Sequence, residues 1–389
     1  MSIKGRSERL SGRIRLGMVG GGQGAFIGAV HRIASRLDDH YELVAGALSS
    51  EPGRAKASGA ELGLREDRSY GTFEEMARCE ARLANGIEAV AIVTPNHMHY
   101  PVAKAFLQRG IHVICDKPLT ATLKDAKKLA ELARRSGAVF ALTHNYTGYP
   151  MVRQAREMVA AGELGELRLI HAEYLQDWLT TDIESSGQKQ AAWRTDPARS
   201  GAGGAVGDIG THAYNLACFV SGLEAEAIAA DLTSFVAGRA LDDNVHVMLR
   251  WQGGARGLLW ASQVAPGNEN SLTLRVHGTK GGLEWTQEDP NRLWFTPFGE
   301  PKRLITRGGA GSGAAAARVT RIPAGHPEGY LEGFANIYSE AAKAIIAARD
   351  GEAPGADVLF PTIDDGVKGV AFIEACVRSS NRNAAWVTL

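Results

Sequence analysis

Three side chains combine a type and a setting suited to proton transfer. Lys117 sits between Asp116 and Pro118, just past the apolar run 112–115. A proline disfavours helical backbone in the residue before it, so the spacing predicts an extended lysine whose stem projects from a strand end. A desolvated ammonium there can polarise a carbonyl or help deprotonate a hydroxyl. The alternative is a surface lysine paired with Asp116. Further on, Asp208 and His212 stand four residues apart in GDIGTHAYN, behind the glycine-rich stretch 200–207. On a helix that interval sets both on one face. A carboxylate beside an imidazole fixes its tautomer and raises its pKa, as an acid/base group needs. The alternative is an aspartate capping a helix and a histidine satisfied in a core. No third ligand accompanies the pair, so no metal is expected.

These residues need elements to hold them. The run 14–19 ends in Gly20, Gly21 and Gly22, and a helical pattern follows at Ala25, Phe26, Ala29, Val30, Ile33 and Ala34. Gly20-x-Gly22-x-x-Ala25 fits a dinucleotide fingerprint. The first glycine serves the tight turn, the second admits a pyrophosphate, and the small third residue lets helix and strand pack closely. Helix-start amides would face the phosphates. A bare connection could also carry such glycines, but this one lies in a strand–helix–strand unit whose second strand is 41–48. Strands at 87–93, 112–115 and 139–143 then alternate with helices at 101–108 and 123–136. Such alternation predicts a parallel sheet with right-handed crossovers, in which ligands collect beyond the strands' carboxyl ends. The clusters 96–99, 116–118 and 144–146 all fall at such ends.

After about residue 149 strands dominate: 167–175, 228–235, 244–251, 256–263, 272–277 and 292–295. Val245, Val247, Leu249 and Trp251 alternate with His246, Met248 and Arg250, the period of a strand with one buried face. Helices are expected at 151–160, 212–220, 332–348 and 364–378, and a tail strand at 385–388. The stretch GGAGSGAAAA, 308–317, reads as a mobile surface loop. The fold class is thus α/β: a Rossmann dinucleotide-binding domain over 13–146, then an α+β domain over 147–389 with a large, mainly antiparallel sheet. A loose polar tail covers 1–12.

Composition excludes several partners. Lysine plus arginine and aspartate plus glutamate are 43 each, so no global field calls for nucleic acid or an anionic membrane. No apolar run has the length to span a bilayer, and the start lacks a cleavage site. Cys79, Cys115, Cys218 and Cys376 form no CxxC pair, which suits a reducing compartment. A cytoplasmic protein is expected.

The segments GMVGGGQGAFIG, TPNHMHY, HVICDKP and GDIGTHAYN occur in the order seen in the Gfo/Idh/MocA family, and the sequence resembles that family over nearly its whole length. The resemblance implies an NAD(P)-dependent dehydrogenase of a sugar, anhydrosugar or cyclitol, forming a homodimer or homotetramer through the second domain's sheet. Lys117 matches the lysine of the family's Glu-Lys-Pro motif, and Asp208 and His212 its downstream acid and histidine. Asp116 stands where the family usually has glutamate, and Asn215 where it often has an acid. The latter points to altered substrate contact or helix packing. The implied roles are His212 as acid/base, Lys117 on the reacting oxygen, and Asp208 orienting the imidazole or binding a neighbouring hydroxyl.

Candidate cofactor contacts are Gly20, Gly22, Gln23, Ala25, Phe26 and Ile27 at the glycine turn, and Thr94, Pro95, Asn96, His97, His99, Asp116, Lys117 and Asn145 at later strand ends. His99 could instead simply open the helix near residue 101. After the second strand come Ser49, Ser50, Glu51 and Arg54. Serine and arginine suit a 2′-phosphate, whereas Glu51 suits a ribose, so NAD and NADP both stay open. Substrate candidates are Tyr146, Gln176, Trp178, Trp193, Arg194 and His326, because aromatic faces with interspersed donors fit a polyhydroxylated ring. Two rival functions remain: glycoside cleavage through transient oxidation, and a nucleotide sensor without catalysis.

Overall fold

The computed structural model describes residues 12–389, so the expected tail lies outside the described residues apart from Gly12. Two compact units emerge. The first takes in the chain up to Thr120 with Lys124–Asn145 and Tyr330–Val367, and the second Ala121–Leu123, Tyr146–Gly329 and Lys368–Leu389.

In the first unit the elements run β1 (Ile14–Gly20), α1 (Phe26–Leu37), β2 (Tyr41–Ala47), α2 (Pro52–Glu61), α3 (Phe73–Glu80), β3 (Ala89–Val93), α4 (His99–Leu107), β4 (His112–Cys115), α5 (Leu123–Ser136) and β5 (Phe140–Leu142). The strands form one parallel sheet in the order β2-β1-β3-β4-β5. Strand order reverses at β1, where such sheets bind ligands past the strand ends. β3 is buried throughout, the mark of a strand covered on both faces. The glycine-bearing α2 has a weak apolar stripe, and its start is secured by Pro52 and by Glu51 as N-cap.

The second unit begins with α6 (Pro150–Ala160), β6 (Leu167–Leu175), α7 (Lys189–Arg194) and α8 (Pro197–Ser200). A π turn (Val206–Gly210) leads into α9 (Thr211–Ser221). Then come β7 (Ala225–Thr233), β8 (Asn244–Trp251), β9 (Arg256–Ser262), β10 (Ser271–Gly278), β11 (Gly281–Thr286), β12 (Arg292–Pro297), β13 (Arg303–Thr306) and α10 (Ala314–Arg318). With β14 (Val387–Thr388) they form a nine-stranded sheet, β13-β12-β11-β10-β6-β9-β8-β7-β14. Only the β6–β9 pair is parallel among its described pairings. β8 alternates as its sequence predicts, with His246, Met248 and Arg250 exposed.

Two expectations change. Residues 308–317 are not all loop. The alanine run forms α10, Ala316 is fully buried, and the Gly313 amide donates to Gln154 Oε1 at 2.5 Å. Alanine is the strongest helix former and small enough to pack closely there. The helix expected at 332–348 is α11 (Tyr330–Arg349), which groups with the first unit and not the second. Its Phe334, Tyr338 and Ala341 share a core with Val30 and Ala34 of α1 and with Leu16 and Met18 of β1. The last helix is α12 (Ile363–Ser380). Among the described residues no helix is long and apolar enough to cross a membrane.

Candidate functional site

In the first unit the glycine turn is built for close backbone approach. Gly20 has φ +80°, and a Cβ there would lie 2.7 Å from the Val93 carbonyl oxygen. At Gly22 a Cβ would lie 2.6 Å from both the Leu48 oxygen and Ser58 Oγ. The helix–strand packing expected of Ala25 falls instead to Gly28, where a Cβ would sit 2.3 Å from the Gly21 oxygen. Ala25 is the N-cap of α1, and no side chain caps that helix. Its first amides are therefore left without a side-chain cap, as an anion site requires. Gln23, Ala25 and Phe26 line a hollow of about 340 Å³ with Gly22, Ser58 and Glu61. Ile27 is half-buried behind them.

At the end of β2 the acid is already committed. The Glu51 carboxylate accepts from the amides of Gly53 (2.8 Å) and Arg54 (2.6 Å), capping α2. Its own amide donates to Ser49 Oγ at 3.2 Å. Ser50 and the Arg54 side chain are exposed beside it.

At the later strand ends two buried polar atoms, Thr94 Oγ1 and Asn145 Nδ2, have no hydrogen-bond partner among the described residues. Burying an unmatched polar group costs about 1–3 kcal/mol, so both fit a polar ligand beyond β3 and β5. Pro95 is half-buried, Asn96 buried and His97 exposed. His99 opens α4 and is fully buried, its Nδ1 2.7 Å from the Pro118 oxygen and its Nε2 2.9 Å from the Thr94 oxygen. Opening the helix is the alternative stated for it, and its ring in addition braces two strand ends. Asp116 accepts from the Lys117 amide and from Thr143 Oγ1, both at 2.9 Å. Lys117 itself is half-buried, followed by a cis peptide to Pro118. Its charge is felt by His144, whose pKa falls to about 3 through burial first and the lysine second.

In the second unit Asp208 lies in the π turn and His212 in the first turn of α9, so the pair spans a π-to-α junction and not one regular helix. Asp242 holds that turn: its carboxylate accepts from the amides of Gly204 (2.6 Å) and Val206 (2.8 Å). A Cβ at Gly204 would meet the Asp242 oxygen at 2.1 Å, which explains the glycine there. Burial nevertheless raises the Asp242 pKa to about 6.

Asp208 Oδ2 accepts from Arg194 Nε at 3.1 Å and Gln263 Nε2 at 2.9 Å. The His212 ring meets Tyr146 and Tyr174 edge-on, with centroids 4.9 and 6.2 Å away. The two tyrosine hydroxyls are 2.5 Å apart, and Tyr174 donates to Asn270 Oδ1 at 2.8 Å. Gln176 Nε2 reaches the same oxygen at 2.8 Å, and Trp178 Nε1 donates to Gln176 Oε1 at 3.0 Å. The Arg194 guanidinium lies 4.3 Å from the centre of the Trp193 ring. Five of the six substrate candidates thus gather around Asp208 and His212. His326 does not join them: it is exposed in a loop tied to Arg307, which bonds its carbonyl and pairs with Glu328 at 3.1 Å. Tyr174, Gln263 and Asn270 escaped sequence reasoning. Gln263 and Asn270 meet Gln176 across 87 and 94 residues, a separation no local pattern spans. Asn215 is buried on α9 with its Oδ1 unmatched in the protein. Among the described residues no cluster of His, Cys, Asp or Glu is arranged to hold a metal ion.

Comparison with known proteins identifies the family. Residues 14–157 match the oxidoreductase family with an NAD-binding Rossmann fold, and residues 152–284 match the GFO/IDH/MocA C-terminal domain. An oxidoreductase from Sinorhizobium meliloti, solved as a crystal structure, is 66% identical with a TM-score of 0.88, covering 97% of this chain and all of its own. An inositol dehydrogenase homolog from Azotobacter vinelandii, complexed with NADH and myo-inositol, is 37% identical with a TM-score of 0.91, covering 98% and 99%. Levoglucosan dehydrogenase of Pseudarthrobacter phenanthrenivorans is 30% identical over 72% of this chain and 75% of its own. The chain belongs to the Gfo/Idh/MocA family of NAD(P)-dependent oxidoreductases, whose dehydrogenases act on CH–OH groups.

Proposed function

We propose that this chain oxidises a secondary carbinol of a cyclitol or a similar polyhydroxylated ring. The observation that carries the reading is the wall around His212. Tyrosine, glutamine and tryptophan side chains form it, and its two opposite charges, Arg194 and Asp208, neutralise each other at 3.1 Å. Such a wall suits an uncharged substrate with apolar C–H faces and a rim of hydroxyls. The family relation to an inositol dehydrogenase homolog and to levoglucosan dehydrogenase supports a sugar-like ring.

When bound, the dinucleotide supplies a hydride acceptor at its nicotinamide. The residues that would hold it are those of the glycine turn together with Thr94, Asn96 and Asn145. His212 takes the carbinol proton, the work an imidazole does at neutral pH. The Lys117 ammonium donates to the reacting oxygen and favours its developing negative charge. Asp208 holds Arg194 and Gln263 in place and offers its carboxylate to the imidazole or to a neighbouring hydroxyl. Because Glu51 is spent on capping α2, Ser49, Ser50 and Arg54 are proposed to admit NADP as well as NAD. The protein is proposed to be a cytoplasmic homodimer or homotetramer assembled through its nine-stranded sheet.

The test is a panel of inositols, anhydrosugars and monosaccharides offered with each nicotinamide. Reduced cofactor should accumulate fastest with a cyclitol. Product release without such accumulation would instead favour glycoside cleavage, and no reaction with any member would reject the proposal.

A further inference from the structure

We propose that Trp178 and Asn270 are positioning residues: the indole N–H of Trp178 sets the direction of the hydrogen-bond chain that runs through Gln176 and Asn270 to the two tyrosines beside the His212 ring. The inference rests on the proposed role of His212 in proton transfer, and its grounds are which atoms own protons.

An indole nitrogen can only donate. The 3.0 Å contact from Trp178 Nε1 therefore requires a carbonyl oxygen on the facing side of Gln176. The amide nitrogen of Gln176 then points at Asn270 at 2.8 Å, and the Asn270 atom that receives it must be Oδ1. That same oxygen takes the Tyr174 hydroxyl proton at 2.8 Å. A phenol has one proton, and Tyr174 has spent it. In the 2.5 Å contact between the two hydroxyls Tyr146 must therefore be the donor. The amide nitrogen of Asn270 is left to donate to Gln287 Oε1 at 3.0 Å and, at 3.4 Å, to the Tyr146 hydroxyl oxygen, which accepts while its own proton goes to Tyr174. Each link thus has one allowed direction, set at Gln176 by the indole and, at the longer distance of 3.4 Å, by Gln263 Nε2, whose amide Asp208 orients. The chain ends on the two phenol rings that meet the His212 ring edge-on at 4.9 and 6.2 Å. Tyr146 is buried, and burial raises its pKa, so the phenol stays protonated and the order is kept.

Without the indole N–H, only the longer 3.4 Å bond from Gln263 Nε2 holds the Gln176 oxygen among the described residues, and the amide can turn over. Asn270 can follow, and the rings lose their single arrangement. Trp178→Phe removes the N–H and keeps an aromatic ring. In the full-length protein, Trp178→Phe and Asn270→Ala should each lower kcat for polyol oxidation by about tenfold, the effect of one such hydrogen bond on a barrier. KM for the polyol should change less, and dinucleotide affinity should be unchanged. The double variant should be no worse than the more damaging single one, because both cut one chain. Effects that multiply, or a Trp178→Phe variant with wild-type kcat, would overturn the proposal. If Asn270→Ala does not fold, Asn270→Leu, which keeps the volume and removes the acceptor, takes its place. A second readout needs no substrate: the NMR signal of the His212 Cε1–H should move or broaden in Trp178→Phe. An unmoved signal contradicts the positioning role even if the wild type oxidises no polyol, an outcome that would count against the proposed function instead.

Discussion

Buried histidines divide here into working and structural groups by what surrounds each ring. His31 on α1 is fully buried, with its Nδ1 2.8 Å from the Tyr338 hydroxyl and its Nε2 unmatched in the protein. Burial lowers its pKa from 6.5 to about 4, against the opposing pull of Asp116. The unfolded chain takes up that proton near pH 6.5, whereas the native chain refuses it until about pH 4. Stability is therefore full above the upper value and falls as pH drops toward the lower one, by about 3 kcal/mol in all. His144, lowered to about 3, adds a loss of the same sign. In urea titrations between those pH values, His31→Gln should flatten the decline in unfolding midpoint; an equally steep decline would exclude His31 as its source. The residues of the proposed chemistry were legible at this scale because Lys117, Asp208 and His212 sit in short motifs. Glu51 was not, since its two bonds to the amides of Gly53 and Arg54 are a matter of helix capping that a ribose ligand would mimic in sequence. His99 was ambiguous for the same reason: a buried brace and a ligand contact share one residue type.

Elements with a clean period were legible, and those built by neighbours were not. β3 and β8 show their burial in their own residues. β11 and β13 are short and bear glycine or charge, and they exist by pairing with β10 and β12. α2, with sequence PGRAKASGAE, has little apolar face and depends on its start. That start carries a prediction about the cofactor. Because the Glu51 carboxylate is held by α2, the exposed Arg54 beside it is the charge proposed to meet a 2′-phosphate. Arg54→Ala should weaken NADP binding by about tenfold, the scale of one charge-assisted hydrogen bond, and leave NAD binding nearly unchanged. Fluorescence titration with each reduced cofactor measures both, and equal losses would reject the phosphate cradle. The π turn before α9 was invisible in sequence as well. Glycines at 203 and 204 signal a loop, and only the approach of Asp242 from β8's leading edge makes them part of a helix start.

The whole chain carries no net charge, and its two sheets match the α/β class expected of it. What the sequence concealed was the return of Tyr330–Val367 to the first unit. An amphipathic helix records that it has an apolar face and not which sheet receives it. The nine-stranded sheet presents Leu169, Met248 and Leu258 at 43–51% exposure in adjacent strands. Apolar side chains clustered on a sheet face suit the proposed assembly through that sheet. Leu258→Glu should shift sedimentation velocity from the oligomer to the monomer while the circular dichroism spectrum stays native. An unchanged oligomer would move the interface elsewhere.

The proposed chemistry requires His212 and Lys117 together. Cofactor reduction by a cyclitol should be followed in the wild type, His212→Gln and Lys117→Met, with dinucleotide affinity measured in each. Both variants should lose turnover by at least about a hundredfold, the usual weight of a positioned acid/base or oxyanion donor, and bind the dinucleotide as the wild type does. Either variant turning over at the wild-type rate would contradict it.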